Sequence, residues 1–489
     1  MQGFDRRLPR TADGRKWLAG LAIVTACSWG RWGATGALKV DESYPSSVAG
    51  ALLFGFLLLG WGLLVVGWAG LLVRPPPDPR RLAFVGLAVA AAMLPMLSND
   101  VYSLLAYGSV AAQGRDVYTT VGGLSQSPWY PWIGERWNEK VCVYGPTTLV
   151  AILPAAGAGS NPWLALAILR VVWLVPVGLV MHLSFAQLRD RPLFHGMLWL
   201  NPLWLVEGPG QLHADLLGVT AVVAGILVQR RGRAAGGWVL YALAALGKYT
   251  FVFAGPWFWL TGAPSVRARV LRAAGIAGVV LAVGVVFYAP FWRGTGTLTE
   301  PVRALGGMNP GGSITEVAGI LVQLVRGGGV PHADLPVREA LELERATKAT
   351  TWLVVSLVMR GVALVVGARA LYVMLRRPAD DDRIALGTGI LVVAAITLAS
   401  HRFQSWYLMA ALPFFGLACT DAWRRWWVVV VGLSVSTELV HVLPTTSPLV
   451  PVWGALSNGG VVIAFLMSFR ARYFAPADAR PAATGPAAP

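Results

Sequence analysis

A few ionisable side chains stand inside a very apolar sequence, and their types and spacing suit chemistry. The first is Asp100, in "MLSNDVYSLLAYGSVAAQGRDVYTT" (96–120), where an apolar run stops at Leu97 and Ser98, Asn99 and Asp100 open an aromatic-rich segment. Ser, Asn and Asp side chains accept bonds from the free N–H groups of a helix start, so a cap is one reading of all three. A carboxylate at a membrane boundary, facing a site, also suits a general base or acid, and the two readings of Asp100 do not exclude each other. Arg115 and Asp116, in "QGRDVY", read first as a pair that fixes a loop after Gly114.

Four further stretches carry polar groups. "NPLWLVEGPGQLHADLLG" (201–218) sets Glu207, His213 and Asp215 in mostly apolar surroundings. Ionisable groups at membrane depth are costly and are functional candidates by default, against the alternative of a satisfied turn between two helices. His213 and Asp215 alone are too few for a zinc site. Lys248, in "ALAALGKYTFVF", is a single charge that either snorkels to an interface or holds a phosphate in low dielectric. "SHRFQSWYLM" (400–409) offers His401, Arg402, Gln404, Trp406 and Tyr407, a set that suits a phosphate plus a sugar or lipid headgroup. Its two aromatics equally suit an interfacial belt. "KVCVYGPTTL" (140–149) gives Tyr144, either an interfacial tyrosine before a Gly-Pro helix start or a hydrogen-bond donor into a site. Arg293 and Arg303 are weaker candidates for headgroup contacts.

The elements that must position these groups follow from composition. The chain has 489 residues, 56% hydrophobic and 13% charged, with apolar runs of transmembrane length from end to end. In lipid a helix closes its backbone hydrogen bonds within itself, so an all-α polytopic membrane protein is expected. The net charge of +16 is spread over short basic segments between apolar runs, which is not a nucleic-acid signature and marks those segments as cytoplasmic. Cys27, Cys142 and Cys419 have no neighbouring partners, so no disulfide framework is indicated. The arginine-rich start and "VTAC" (24–27) have the look of a leader, but hydrophobicity resumes after Cys27, so a retained first membrane helix is expected.

Threading the chain by its basic loops places helices near 16–36, 47–73 and 82–98, then an external segment 99–143 with amphipathic helices lying on the membrane. The run 144–158 is short, and a full crossing would put the Arg189/Arg191 loop outside, so it reads as interfacial or re-entrant. Helices near 162–186, 195–208 (broken at Pro202) and 214–229 follow. Shortened helices at 237–247 and 249–263 meet at Lys248, and a helix near 270–290 leads to a second external segment, 291–349, with a short apolar helix at 313–326. Helices near 350–375, 384–400, 406–421, 426–442 and 451–469 complete a single membrane domain, 1–470, of about 12–14 crossings. Residues 471–489 read as a disordered cytoplasmic tail. Asn99-Asp100, Tyr144, His213-Asp215, Lys248 and His401-Gln404 then fall on one outer face.

The Asn-Asp-Val-Tyr at 99–102, "AYG" and "GRDVY" resemble the polyprenol-phosphate-mannose-dependent mannosyltransferases, polytopic glycosyltransferases of the GT-C fold known from actinobacterial lipomannan and lipoarabinomannan assembly. "YGPTTL", "NPLWLVEGPGQLHAD", "GKYTFVF" and "RFQSWYLMAALP" are similar to segments of the same family, in the same order, and the α-1,6-mannosyltransferases are the most similar subgroup. Ala214 stands where the family often has Asn, and Ser405 where it often has Pro, which leaves the sugar and linkage open.

The resemblance implies a periplasm-facing site in the cell membrane, and the basic N-terminal arm and the basic 469–473 segment place both termini in the cytoplasm. It implies a polyprenyl-phosphate-mannose donor, a glycan or glycolipid acceptor and inversion at the anomeric carbon, with Asp100 as the base. Lys248, His401, Arg402 and Gln404 would meet the donor phosphate, and Asn99, Tyr144, Glu207, His213, Asp215, Trp406 and Tyr407 would line the substrate. No cofactor is indicated, and a divalent cation stays open because Asp100 and His213/Asp215 could meet in space. An arabinofuranosyl or other polyprenyl-phosphate-sugar transferase is the rival within the class. A lipid-linked sugar transporter is the rival outside it, but it should show internal repeats and midplane charges.

Overall fold

The computed structural model describes residues 11–35, 48–95, 98–121, 123–133, 140–306, 337–376, 380–400, 404–418 and 430–432. They form helices and helical turns with no strand among the described residues. In chain order the helices are α1 (Ala12–Thr35), α2 (Val48–Val73), α3 (Pro79–Ala91), α4 (Asp100–Ala112), α5 (Pro146–Ala156) and α6 (Pro162–Gln187). Next come α7 (Pro192–Leu198), α8 (Pro202–Leu205), α9 (Asp215–Arg230), α10 (Ala234–Gly247), α11 (Gly255–Leu260) and α12 (Val266–Tyr288). The last are α13 (Gly296–Gly306), α14 (Val337–Arg376), α15 (Asp381–Ala394) and α16 (Leu412–Ala418).

Three of these helices begin on one local signal, a short polar side chain followed by proline. Asp78, Asn161 and Asn201 accept N–H bonds from Arg81 (2.8 Å), Leu164 (3.1 Å) and Leu203 (2.9 Å), and Pro79, Pro162 and Pro202 take the first helical position. Proline has no N–H to leave orphaned there and its φ suits the helix. Five segments among the described residues are long and apolar enough to cross a membrane: Val48–Val73, Pro162–Gln187, Val266–Phe291, Leu353–Arg376 and Asp381–Ala399. Pro202–Gly210 and Asp215–Arg230, bent by 115°, make a sixth if they are one broken span. The protein is therefore an all-α polytopic membrane protein. α1 and α2 pack so closely that a Cβ on Gly20 would lie 2.4 Å from the Leu64 nitrogen, the small-residue contact expected where dispersion replaces the hydrophobic effect.

The structure departs from the sequence expectations in several places. α4 is not a surface-lying amphipathic helix: Val101 to Val110 are all buried, because α5 and the 123–132 turns cover it. α3 stops at Ala91, short of Leu97, ahead of Pro95, whose ring disfavours helical backbone before it. The expected helix 249–263 is a 3₁₀ turn, Tyr249–Ala254, running into the short α11. α14 begins at Val337, ahead of the expected 350. The helices expected at 313–326, 426–442 and 451–469 and the tail 471–489 lie wholly or almost wholly outside the described residues.

Candidate active site

Asp100 is the first residue of α4. Its N–H donates to the Ser98 hydroxyl at 3.1 Å, so the cap comes from Ser98 rather than from the Asn99 side chain. The Asn99 carbonyl accepts from Tyr102 and Ser103 at 3.0 and 3.1 Å. A carboxylate in the first turn also sits at the positive end of the helix dipole. Asp116 does not reach this place. Its Oδ1 accepts the N–H groups of Tyr118 (2.8 Å) and Thr119 (3.1 Å), and the Thr119 hydroxyl donates to Oδ2, so it fixes its own loop.

The bend between α8 and α9 gathers the second set. Pro209 and two glycines interrupt regular helix, and Val206–Gly210 forms a π-helical turn. Gln211 N–H donates to the Val206 carbonyl (2.8 Å) and Leu212 N–H to that of Gly208 (2.8 Å), which satisfies the buried backbone through the turn. Leu212 takes a left-handed φ of 58°, and the chain re-enters helix at Asp215. Glu207, His213 and Asp215 are thereby enclosed.

Tyr144 joins the two. Its hydroxyl donates to Asp100 Oδ2 at 3.3 Å, and its carbonyl accepts the Tyr118 hydroxyl at 3.0 Å. The residues after it clamp α5 onto the end of α10. Gly145 N–H donates to the Gly247 carbonyl (2.9 Å), Thr147 to that of Leu243 (2.8 Å) and Thr148 to that of Gly247 (3.1 Å). The Gly247 carbonyl is one that the helix end leaves open, and Leu243 lies just inside that end. These bonds also fix the residue that follows, Lys248, whose ammonium pairs with Asp215 and lies 4.2 Å from the centre of the Tyr407 ring.

The 3₁₀ turn Ser405–Ala410 supplies the remaining wall. Trp406 stacks on His213, ring centres 3.9 Å apart and planes 18° apart, while Tyr407 sits against Lys248. Adjacent aromatics, read as an interfacial belt or a sugar platform, thus each face a charged or chargeable group. Gln404 is buried at the start of this turn. His401 and Arg402 lie outside the described residues. Arg293 donates to the Gly114 carbonyl at 3.1 Å, and Arg303 pairs with Glu300 at 2.6 Å.

The centre of the arrangement is a chain of three side chains. His213 Nδ1 lies 3.4 Å from Asp100 Oδ2, and its Nε2 lies 3.1 Å from Glu207 Oε2. The Nε2 approach is off-line, so charge attraction more than an aimed hydrogen bond governs that contact. Side-chain exposure falls from 17% at Asp100 to 1% at His213 and 0% at Glu207, so Asp100 is the member that can touch a substrate. The two carboxylates flank opposite edges of the imidazole and do not converge on a point. Among the described residues no group of three or more His, Cys, Asp and Glu side chains is arranged to hold a metal ion.

Sequence reading missed Tyr118, Thr147 and Thr148, which hold the site from outside. Two threonines directly after a Gly-Pro helix start were the available signal.

A polytopic α-helical membrane protein with a partly open carboxylate backed by enclosed acid and base groups is the class that fold and site define. Within that class the chain belongs to the alpha-(1->6)-mannopyranosyltransferase family: the family model for that enzyme's N-terminal domain matches residues 17–264. It is 27% identical over 433 residues to alpha-(1->6)-mannopyranosyltransferase A of Mycobacterium tuberculosis, covering 83% of this chain and 80% of that one. It is 28% identical over 222 residues to the protein of the same name from Corynebacterium glutamicum, covering 40% and 45%. The matched family segment includes Asp100, Tyr144, Glu207, His213, Asp215 and Lys248.

Proposed function

We propose that this chain is a mannosyltransferase of GT-C type that moves mannose from polyprenyl-phosphate-mannose to a hydroxyl of a glycan or glycolipid, extending an α-1,6 mannan. Membership of the family and the names of both relatives support this reading. The observation that carries it is Asp100, a partly open carboxylate at a helix start, held by Tyr144 and flanked by His213. In the reaction the acceptor oxygen bonds to the anomeric carbon opposite the phosphate. The acceptor O–H bond breaks and its proton passes to Asp100, and the C1–O bond to phosphate breaks with its electron pair leaving on the phosphate. One carboxylate on the acceptor side suffices for that proton. The leaving phosphate gains charge and needs cations or donors around it.

Lys248 and Gln404, together with His401 and Arg402, are assigned to that phosphate, with Asp215 compensating Lys248 in the absence of donor. Asn99, Tyr144 and Tyr407 are assigned to the sugar side, and the burial of Glu207, His213, Asp215 and Trp406 makes them supports of that wall. The reading places the site on the periplasmic side of the cell membrane, with both termini cytoplasmic and the acceptor chain outside. The test is direct. Purified protein in nanodiscs is given polyprenyl-phosphate-[14C]mannose and a short α-1,6-oligomannoside. The product should be one mannose longer, α-1,6-linked by NMR. Transfer of a different sugar in preference to mannose, or no transfer by folded protein, overturns the assignment.

A further inference from the structure

Glu207 has no surface through which a substrate reaches it, yet only one imidazole ring separates it from the carboxylate that does. We infer that Glu207 is a positioning residue that acts on Asp100 through His213, holding the ring so that Nδ1 faces Asp100 and the base stays aimed at the acceptor hydroxyl. The inference rests on the reading of Asp100 as base.

Three observations carry it. Each ring nitrogen lies within ion-pair distance of a carboxylate oxygen, Nδ1 at 3.4 Å from Asp100 and Nε2 at 3.1 Å from Glu207. An imidazolium presents an N–H to each side, whereas a neutral imidazole presents one N–H and turns a lone pair toward the other carboxylate. Two carboxylates so close to one ring repel each other unless a cation lies between them, so Glu207, His213 and Asp100 form a unit whose charges are set together. The ring plane is fixed independently by the Trp406 face, a surface that attracts a cation. The backbone is shaped for the same contact. The left-handed Leu212 turns the chain back, and His213 N–H donates to the carbonyl of Glu207 itself at 3.3 Å. A bulky residue in that conformation is uncommon and marks a turn held by its surroundings. Glu207 and His213 touch no reacting atom: the acceptor's proton ends on Asp100, and His213 keeps its own.

The experiment compares wild type, Glu207→Gln, His213→Gln, Asp100→Asn and the Asp100→Asn/Glu207→Gln double variant in nanodiscs, with thermal unfolding as the control for fold. Glu207→Gln should lower kcat by about tenfold or more, the size of a lost charge-assisted contact, with KM for donor and acceptor unchanged. His213→Gln should show the same split, and it is the variant read if Glu207→Gln does not fold. On the Asp100→Asn background Glu207→Gln should remove nothing further from the residual rate. Folded Glu207→Gln with wild-type kcat, or with raised KM and unchanged kcat, overturns the inference. So does an equal further loss on the Asp100→Asn background. If Asp100→Asn alone loses transfer while Glu207→Gln and His213→Gln keep it, this inference fails and the functional reading stands. If wild type moves no mannose, it is the functional reading that fails.

Discussion

Lys248 and Asp215 face each other as a buried ion pair, with Asp215 fully enclosed and the Lys248 ammonium against the Tyr407 ring. Removing one partner leaves a buried charge uncompensated, which costs about 3–5 kcal/mol, whereas an apolar pair of similar volume is often neutral. Lys248→Met and Asp215→Leu should each lower the unfolding midpoint in detergent strongly, and the double variant should recover most of the loss. A double variant that loses the sum of the two singles would show that the pair is not coupled. Donor binding should fall in the double variant despite the recovered fold, because the phosphate has lost its cation.

Gly145 is fixed by a backbone it almost touches. A Cβ there would lie 1.8 Å from the Leu246 carbonyl oxygen, which belongs to a helix and cannot swing aside. Gly145→Ala should push α5 off the end of α10 and destabilise the protein by about 1–3 kcal/mol or more. Gly33→Ala, where nothing lies within 4 Å, is the matched control and should unfold like wild type. Thermal unfolding of both variants side by side checks the difference.

Much of the frame was legible before any coordinates. Asn161-Pro162 announces the helix start expected at 162 because cap and proline are neighbours in sequence, and the same pair at Asp78-Pro79 starts α3 a few residues ahead of the expected 82. The break at Pro202 was visible for the same reason, and the interruption at Lys248 was visible as a lone charge between apolar runs, although a 3₁₀ turn rather than a second helix follows it. What the pattern did not reveal is pairing at long range. Thr148 meets the Gly247 carbonyl across 99 residues, and Asp215 meets Lys248 across 33. Each partner alone reads as an ordinary helix-start or lone charge. α4 misled for a related reason: its small and polar residues mimic an amphipathic surface, and only the packing of α5 shows that every face is covered. Asp100, Glu207 and His213 were each singled out as candidates, but the single chain they form depends on the fold around the 206–213 turn.

Trp406 should matter through His213 rather than through a sugar. Its ring face lies 3.9 Å from the imidazole centre, and a cation against a desolvated tryptophan gains about 2 kcal/mol. Trp406→Leu should therefore lower kcat by roughly thirtyfold with little change in acceptor KM. Trp406→Phe keeps a face for the ring and should retain most of the activity. A rise in acceptor KM with unchanged kcat would instead return Trp406 to the sugar platform.

The proposed transfer chemistry depends on Asp100. A positioned general base contributes about 10²–10⁴-fold, and an amide of the same shape cannot take the proton. The deciding measurement is single-turnover transfer of [14C]mannose from polyprenyl phosphate by Asp100→Asn, beside wild type, in protein whose unfolding midpoint and donor binding match wild type. A loss of two orders of magnitude or more in the chemical step, with donor affinity unchanged, is the predicted result. Transfer within a few-fold of wild type would contradict it.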